Sequence, residues 1–193
     1  IGLLYNSVSV DHYAITKWDI YEALETLKVS TPYKTTASNE MKISAADDNS
    51  LAKTIGYFKV LESGEYTIQA FGDDRAVFEL HQEDGTTLQS LTVDYASTAE
   101  DAYKQSGSTH FTVKLEANTP YAYTLIAKNN DGVGWGDVNI RSTAKDSSWK
   151  SIDYVYSNIN DFGKTTDRSF TVSNPAYVRP SKLAASTSTT LKD

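Results

Sequence analysis

An antiparallel β-sandwich with one short helix near its start is the fold this sequence predicts, an all-β class. Three observations predict it. Short runs of alternating polar and apolar residues recur between turn residues, as half-buried strands do. Strand-favouring side chains are plentiful, with 13 tyrosines among 193 residues and many threonines. Only one early stretch has a convincing helical period.

That stretch is Lys17 to Lys28. Thr16 at the N-cap with Asp19 three residues on approximates a capping box. Trp18, Tyr21, Leu24 and Leu27 share one face, and Glu22 and Glu25 point the other way. Asn39 to Ser50 is polar and turn-rich, ending in Asp47-Asp48-Asn49. From Ile55 the period becomes two. Gly56 to Val60 leads to a turn at Glu62-Ser63-Gly64, after which Tyr66, Ile68 and Ala70 alternate with Glu65, Thr67 and Gln69. Arg75 to Gln82 alternates again. Glu83-Asp84-Gly85-Thr86 is a hairpin turn with glycine where φ must be positive, and Leu88 to Tyr95 returns. Ser97 to Gly107 is a surface excursion with one helical turn capped by Ser97. His110 to Leu115, Tyr121 to Lys128 and Asp137 to Arg141 are strands, with a loop at Asn129 to Gly136. Weaker strand patterns lie at Trp149 to Tyr156 and Ser169 to Val172, before a Ser/Thr-rich tail from Ala184. The division expected is one sandwich domain over 1–160, its front carrying a helical insertion, and an extension or linker over 161–193.

Composition removes several functions. Cysteine is absent, which excludes thiolate metal sites, cysteine nucleophiles and disulfide scaffolds. A net charge of −7 opposes a nucleic-acid surface, which needs a basic stripe to displace phosphate counterions. No apolar run approaches the length of a membrane-spanning helix. There is no HExxH, GxSxG, P-loop or GxGxxG motif, and His81 and His110 sit in ordinary alternating strands. No enzyme is expected. The chain opens on Ile1 without a signal-peptide pattern and reads as a piece of a longer precursor. Its acidic, Ser/Thr/Tyr-rich composition suits a secreted or cell-surface protein.

Two stretches carry chemistry. In Gly72-Asp73-Asp74-Arg75, adjacent carboxylates follow a buried strand and repel each other unless a positive charge intervenes. Calcium, a hard cation with six to eight oxygen ligands, suits such a pair. A solvated turn, or neutralisation by the Arg75 guanidinium, are the alternatives. In Asn129-Asn130-Asp131-Gly132-Val133-Gly134-Trp135-Gly136, three glycines free the backbone to turn carbonyls inward, and Asn and Asp add side-chain oxygens. Trp135 between glycines is either an exposed indole able to stack on a sugar, or a ring folded back into the core.

The order of these features resembles the PA14 family. Gly56-Tyr57-Phe58, then Ser63-Gly64-Glu65-Tyr66-Thr67-Ile68, then Gly72-Asp73-Asp74-Arg75-Ala76-Val77-Phe78 follow its glycine-led strand, its s-G-x-Y-t-F strand and its Asp-Asp turn. Asp84-Gly85, Asn118-Thr119-Pro120-Tyr121, Asn129 to Gly136 and Ser148 to Ile152 match later features in order, while Arg75 replaces the usual glycine. The resemblance implies a non-catalytic, calcium-dependent glycan-binding module of a larger secreted or cell-surface protein. Its partners would be glycans or glycoproteins on a host or neighbouring cell surface, without nucleic acid or membrane insertion. It further implies that Asp73 and Asp74 are joined by a cis peptide and chelate calcium. Asn129 or Asn130 and backbone oxygens of the late loop, at Val133 and Trp135, would complete the shell. Sugar would meet Asp73, Asp74, Asp131 and Trp135. The alternative is a scaffold or protein-interaction domain of an adhesin, toxin or mucin-targeting peptidase.

Overall fold

The computed structural model describes residues 6–82, 84–105, 110–144 and 148–159. In chain order its first elements are β1 (Val8–Ala14), α1 (Ile20–Leu27), β2 (Lys34–Ser38), β3 (Lys42–Ser44), β4 (Ser50–Phe58) and β5 (Gly64–Asp73). Then come β6 (Arg75–His81), β7 (Thr87–Val93), α2 (Ala99–Lys104), β8 (His110–Leu115), β9 (Tyr121–Asn129), β10 (Trp135–Ser142), β11 (Lys150–Ser151) and β12 (Val155–Tyr156). The expected strand at Ser169–Val172 and the extension 161–193 lie outside the described residues.

Two sheets, antiparallel throughout, form the sandwich. The first runs β2-β1-β4-β9-β6-β7 with β12 added beside β4, and the second β11-β10-β5-β8 with β3 on the edge of β10. Their facing sides fill one core. Phe78 is its centre, stacked on Phe111 and Tyr123 at centroid distances of 6.3 and 6.2 Å, with Phe58 edge-on to Tyr123. Around them Ile68, Leu80, Leu115, Leu125, Val138 and Ile140 are buried, as the period-two pattern predicts.

The outer faces explain what alternation misses. β5 and β9 are buried on both sides along most of their length, because each sheet has a helix on its back. α1 sets Ile20 and Ala23 on Leu51, Val77 and Ile126. α2 sets Ala99 and Ala102 on Phe71 and Ala96.

Several element boundaries are corrected. α1 starts at Ile20, with Asp19 rather than Thr16 as its cap, accepting from Glu22 N at 3.1 Å. Its buried face is Ile20 and Ala23, with Leu24 and Leu27 of the expected stripe partly buried beside them, while Trp18 and Tyr21 point outward. A stripe of aromatic residues and a stripe one residue out of phase both satisfy the helical period, and the flat sheet selects the small Ala23. The excursion after β7 is a true helix capped by Thr98, not Ser97. The polar stretch 39–50 contains β3, whose Ile43 is buried between Met41 and Ala45. β4 begins at Ser50, five residues before the expected start, and β10 begins at Trp135. The 83–86 turn is borne out at Gly85, with φ of 92°.

The described chain enters and leaves side by side. Val155 N donates to Asn6 Oδ1 at 2.8 Å, Ser157 N to Ser7 O at 3.0 Å and Ser9 N to Ser157 Oγ at 3.0 Å.

One buried acid lies apart from the candidate site. Asp137, only 9% exposed, accepts from Val138 N at 2.8 Å on the outer face of the second sheet. Burial pushes its carboxyl up to about 6, against the smaller opposing pulls of the Val138 N–H and Lys42. The folded state therefore favours the protonated acid. That stabilisation is full at low pH and is lost as pH rises from the unfolded value through about 6. Asp137→Asn, which keeps an acceptor oxygen, is expected to stabilise the domain by about 1–3 kcal/mol at pH 7, each tenfold in proton affinity being worth ~1.4 kcal/mol. The gain should vanish near pH 4. Urea unfolding at both pH values checks this, and equal stability of the two proteins at pH 7 contradicts it.

Candidate functional site

The turn between β5 and β6 places the two acids. Asp73 closes β5, Arg75 opens β6, and the Asp73–Asp74 peptide is cis, as the resemblance implies. Asp74 N donates to Lys128 O at 2.9 Å, and Asp74 Oδ2 accepts from Asn130 N at 2.7 Å. These bonds tie the turn to the end of β9. Burial first, then the neighbouring Asp74 carboxyl, raise the Asp73 carboxyl above the usual carboxylate range.

Arg75, weighed as the counter-ion of the pair, faces another acid. Its Nε lies 3.2 Å from Asp94 Oδ1. The cation nearest the site is Lys128, buried, with Nζ bonded to Asn130 Oδ1. Burial chiefly lowers its basicity, while Asp74 and Asp19 both pull it back up. Sequence reasoning missed Lys128 because it counts as an ordinary charged strand residue until the fold buries it.

The late loop separates the two asparagines. Asn130 spends its side-chain oxygen on Lys128 and its backbone on Asp74 and Asn49. Asn129 is fully buried, and its Nδ2 donates to Asp47 O at 3.1 Å and Gly132 O at 3.0 Å. Those two bonds fix which side-chain atom is the oxygen. Asn129 Oδ1 is then buried with no hydrogen-bond partner among the described residues. Such an orphaned acceptor costs about 1–3 kcal/mol unless something occupies it. An oxygen beside an acid pair fits a hard cation.

The loop's carbonyls alternate. Those of Asn130, Gly132 and Gly134 accept from Asn49 N, Asn129 Nδ2 and Ala45 N respectively. Among the described residues, the carbonyls of Asp131 and Val133 accept no hydrogen bond. Gly132, at φ of 74°, makes the turn that sets this alternation. Asp131 is exposed, and Val133 is 68% exposed. A second loop, seen in the sequence only as a polar turn, props the first: Asp48 Oδ1 accepts from Gly132 N at 2.9 Å and Asn49 N donates to Asn130 O at 2.9 Å. Its Asp-Asp-Asn run was the available signal.

Trp135 pairs with Asp73 on one side and Ser44 on the other, which puts it in the same row of the sheet as the acid. Its ring is half-buried rather than bare, edge-on to Phe71 at 5.6 Å with Lys42 Nζ 5.8 Å from its centroid. A cavity of about 760 Å³ adjoins the loop between β2 and β3, lined in part by His12, Lys34, Lys42, Val133 and Trp135. Neither Asp73 nor Asp74 lines it. Among the described residues no three imidazole or carboxylate side chains converge, so any metal shell here must draw on amide and carbonyl oxygens.

Residues 50–142 match the GLEYA domain family. The A domain of epithelial adhesin 6 from Candida glabrata, solved with Galβ1-3GlcNAc, superposes with a TM-score of 0.58 at 12% identity, over 90% of this chain and 96% of that one. The PA14 domain of the MpAFP antifreeze protein gives 0.57 at 11% identity, over 80% and 91%. The PA14 sugar-binding domain of an RTX adhesin gives 0.52 at 11%, over 81% and 100%. The fold is that of the PA14 domains. No curated protein matches the sequence. Within the PA14-like sandwich, the Asp73–Asp74 turn and the 129–135 loop lie inside the matched segment. Trp18, Asp48 and Asn49 lie outside it.

Proposed function

We propose that this domain is a non-catalytic, calcium-dependent glycan-binding module of a secreted or cell-surface protein of adhesin type. The observation that carries the reading is the orphaned Asn129 Oδ1, one residue from the Asn130 N–H that bonds Asp74 Oδ2. Asp73, Asp74 and Asn129 would hold the ion, with the carbonyls of Asp131 and Val133 as further oxygens. Asn130 serves from behind, tying Asp74 to the loop through its N–H. When bound, calcium supplies a positive centre that offers coordination positions to sugar hydroxyls.

The rest of the affinity comes from this chain's own side chains. Trp135 presents the uncovered part of its ring, and the exposed Asp131 can accept from a hydroxyl. The glycan complexes of the similar adhesin domains support a carbohydrate partner. So few contacts on an open surface give millimolar affinity for one sugar. Repeated display on a larger protein would raise the avidity. No helix among the described residues is long and apolar enough to cross a membrane.

A glycan array probed with and without chelator tests the reading. Calcium-dependent binding is expected, and a broad array without any such binding sinks it. Trp135→Ala should weaken bound glycans about tenfold, the worth of part of an aromatic face, while leaving the thermal response to calcium in place. The same array and melting curves on the variant check this.

A further inference from the structure

The N-terminal end of α1 carries two aromatic rings that the core does not use. Trp18 is 54% exposed and Tyr21 65%, one just before the Asp19 cap and the other in the first turn after it. The Trp18 ring is nevertheless fixed, because its Nε1–H donates to Asn49 Oδ1 at 2.6 Å. Hydrogen bonds continue from there into the candidate site. Asn49 N donates to Asn130 O at 2.9 Å, and Asn130 N to Asp74 Oδ2 at 2.7 Å. Two residues separate the indole from the Asp74 carboxylate. Asp19, beside Trp18, acts with Asp74 on the same Lys128 ammonium. The Trp18 ring stands on the rim of the site, with Tyr21 one helical turn further on.

Resting on the reading above, we infer that Trp18 and Tyr21 form a second subsite. They are a stacking platform for the next sugar of an oligosaccharide whose first sugar is held at Asp73, Asp74 and Asn129. An indole anchored by its N–H presents a flat apolar face to the C–H side of a sugar ring, and little ordering is left to be done on binding. The charge of the rim sets the glycan class. Asp19, Glu22, Asp48 and Asp131 are exposed on these segments against one exposed cation, Lys17, so sialylated or sulfated chains meet net like charge and neutral oligosaccharides do not.

Calorimetric titration of the full chain in millimolar calcium tests this, with galactose, lactose and 3′-sialyllactose as probes and mannose and α1,2-mannobiose in parallel. Wild type should bind a neutral disaccharide at least tenfold tighter than its monosaccharide, and sialyllactose more weakly than lactose. Trp18→Ala should cut the disaccharide preference fivefold or more, and Tyr21→Ala by a smaller factor. Monosaccharide affinity and the calcium-induced rise in melting temperature should stay unchanged, which shows that the variants fold. Trp18→Phe, which keeps a ring, should retain most of the preference. A Trp18→Ala protein with the full preference overturns the platform while leaving the glycan reading intact. A wild type that binds none of the five probes, nor any glycan of the broad array, in a calcium-dependent way overturns both.

Discussion

Millimolar calcium is expected to raise the melting temperature of this domain, and Asp73→Asn combined with Asp74→Asn to abolish the rise. A ligand that binds only the folded state stabilises it by RT ln(1 + [L]/Kd), about 2.7 kcal/mol at a hundredfold excess over Kd. For a chain of this size that is a shift of roughly 5–10 °C. Asn129 Oδ1 has no partner among the described residues and the Asp73 carboxyl is held up by burial and by its neighbour, so the gain is large relative to the few groups involved. In chelator the double variant should melt no lower than wild type. Amides remove the repulsion within the pair, and Asn at position 74 still offers an oxygen to Asn130 N.

The pH dependence has a definite sign. Without metal, the raised Asp73 carboxyl favours the folded state when protonated, and that contribution is lost as pH rises through its folded value. Calcium needs the ionised form. Its increment should therefore grow with pH over the same window and fall away on acidification sooner than for an ordinary aspartate. Scanning calorimetry in calcium and in EDTA across pH 4 to 7 measures both. Identical melting temperatures in calcium and EDTA at neutral pH end the metal assignment.

Gly134→Ala is expected to cost about 2–4 kcal/mol and to remove the calcium response with it. A Cβ at position 134 would lie 2.3 Å from Ala45 O and 2.4 Å from Asn129 Cβ, both parts of the prop that aims Asn129 Oδ1. Neither neighbour is the loose end of a long side chain, so relief requires backbone movement, at the cost typical of overpacking. Gly132→Ala makes a useful comparison. Nothing crowds that site, and only its positive φ resists a side chain, so a loss near 1 kcal/mol is expected. Chemical denaturation ranks the two. A Gly134→Ala protein as stable as wild type and still calcium-responsive would show that the loop does not depend on this close approach.

How much was legible follows from how far each residue's partner lies along the chain. β8 is bounded in the structure as the alternation of His110 to Leu115 bounds it, and β5 with β6 was visible because its turn carries its own signal in Gly72-Asp73-Asp74. The acid pair and the late loop were legible as oxygen-rich sequences. The choice between Asn129 and Asn130 was not. It depends on Lys128 reaching one side-chain oxygen and on Asp47, 82 residues away, holding the other amide. Trp135 was ambiguous for the same reason: Phe71 and Lys42, which shade its ring, come from separate strands. The phase of α1 was misread because amphipathic period identifies a stripe but not the depth of the groove it must enter. Only the sheet made of Leu51, Val77 and Ile126 supplies that depth.

The side-by-side entry and exit of the chain also govern how the domain bears load. β4 is nine residues long, with Ser50 paired to Asn129 at one end and Phe58 paired to Val155 at the other. At about 3.3 Å per residue, the candidate site and the clamp between 6–9 and 155–157 stand roughly 26 Å apart, at opposite poles. Traction applied at both ends of the described chain peels a few bonds of that clamp one after another and does not shear the long ladders of β4, β9 and β6. The loops holding Asp74 and Asn129 are then outside the force path.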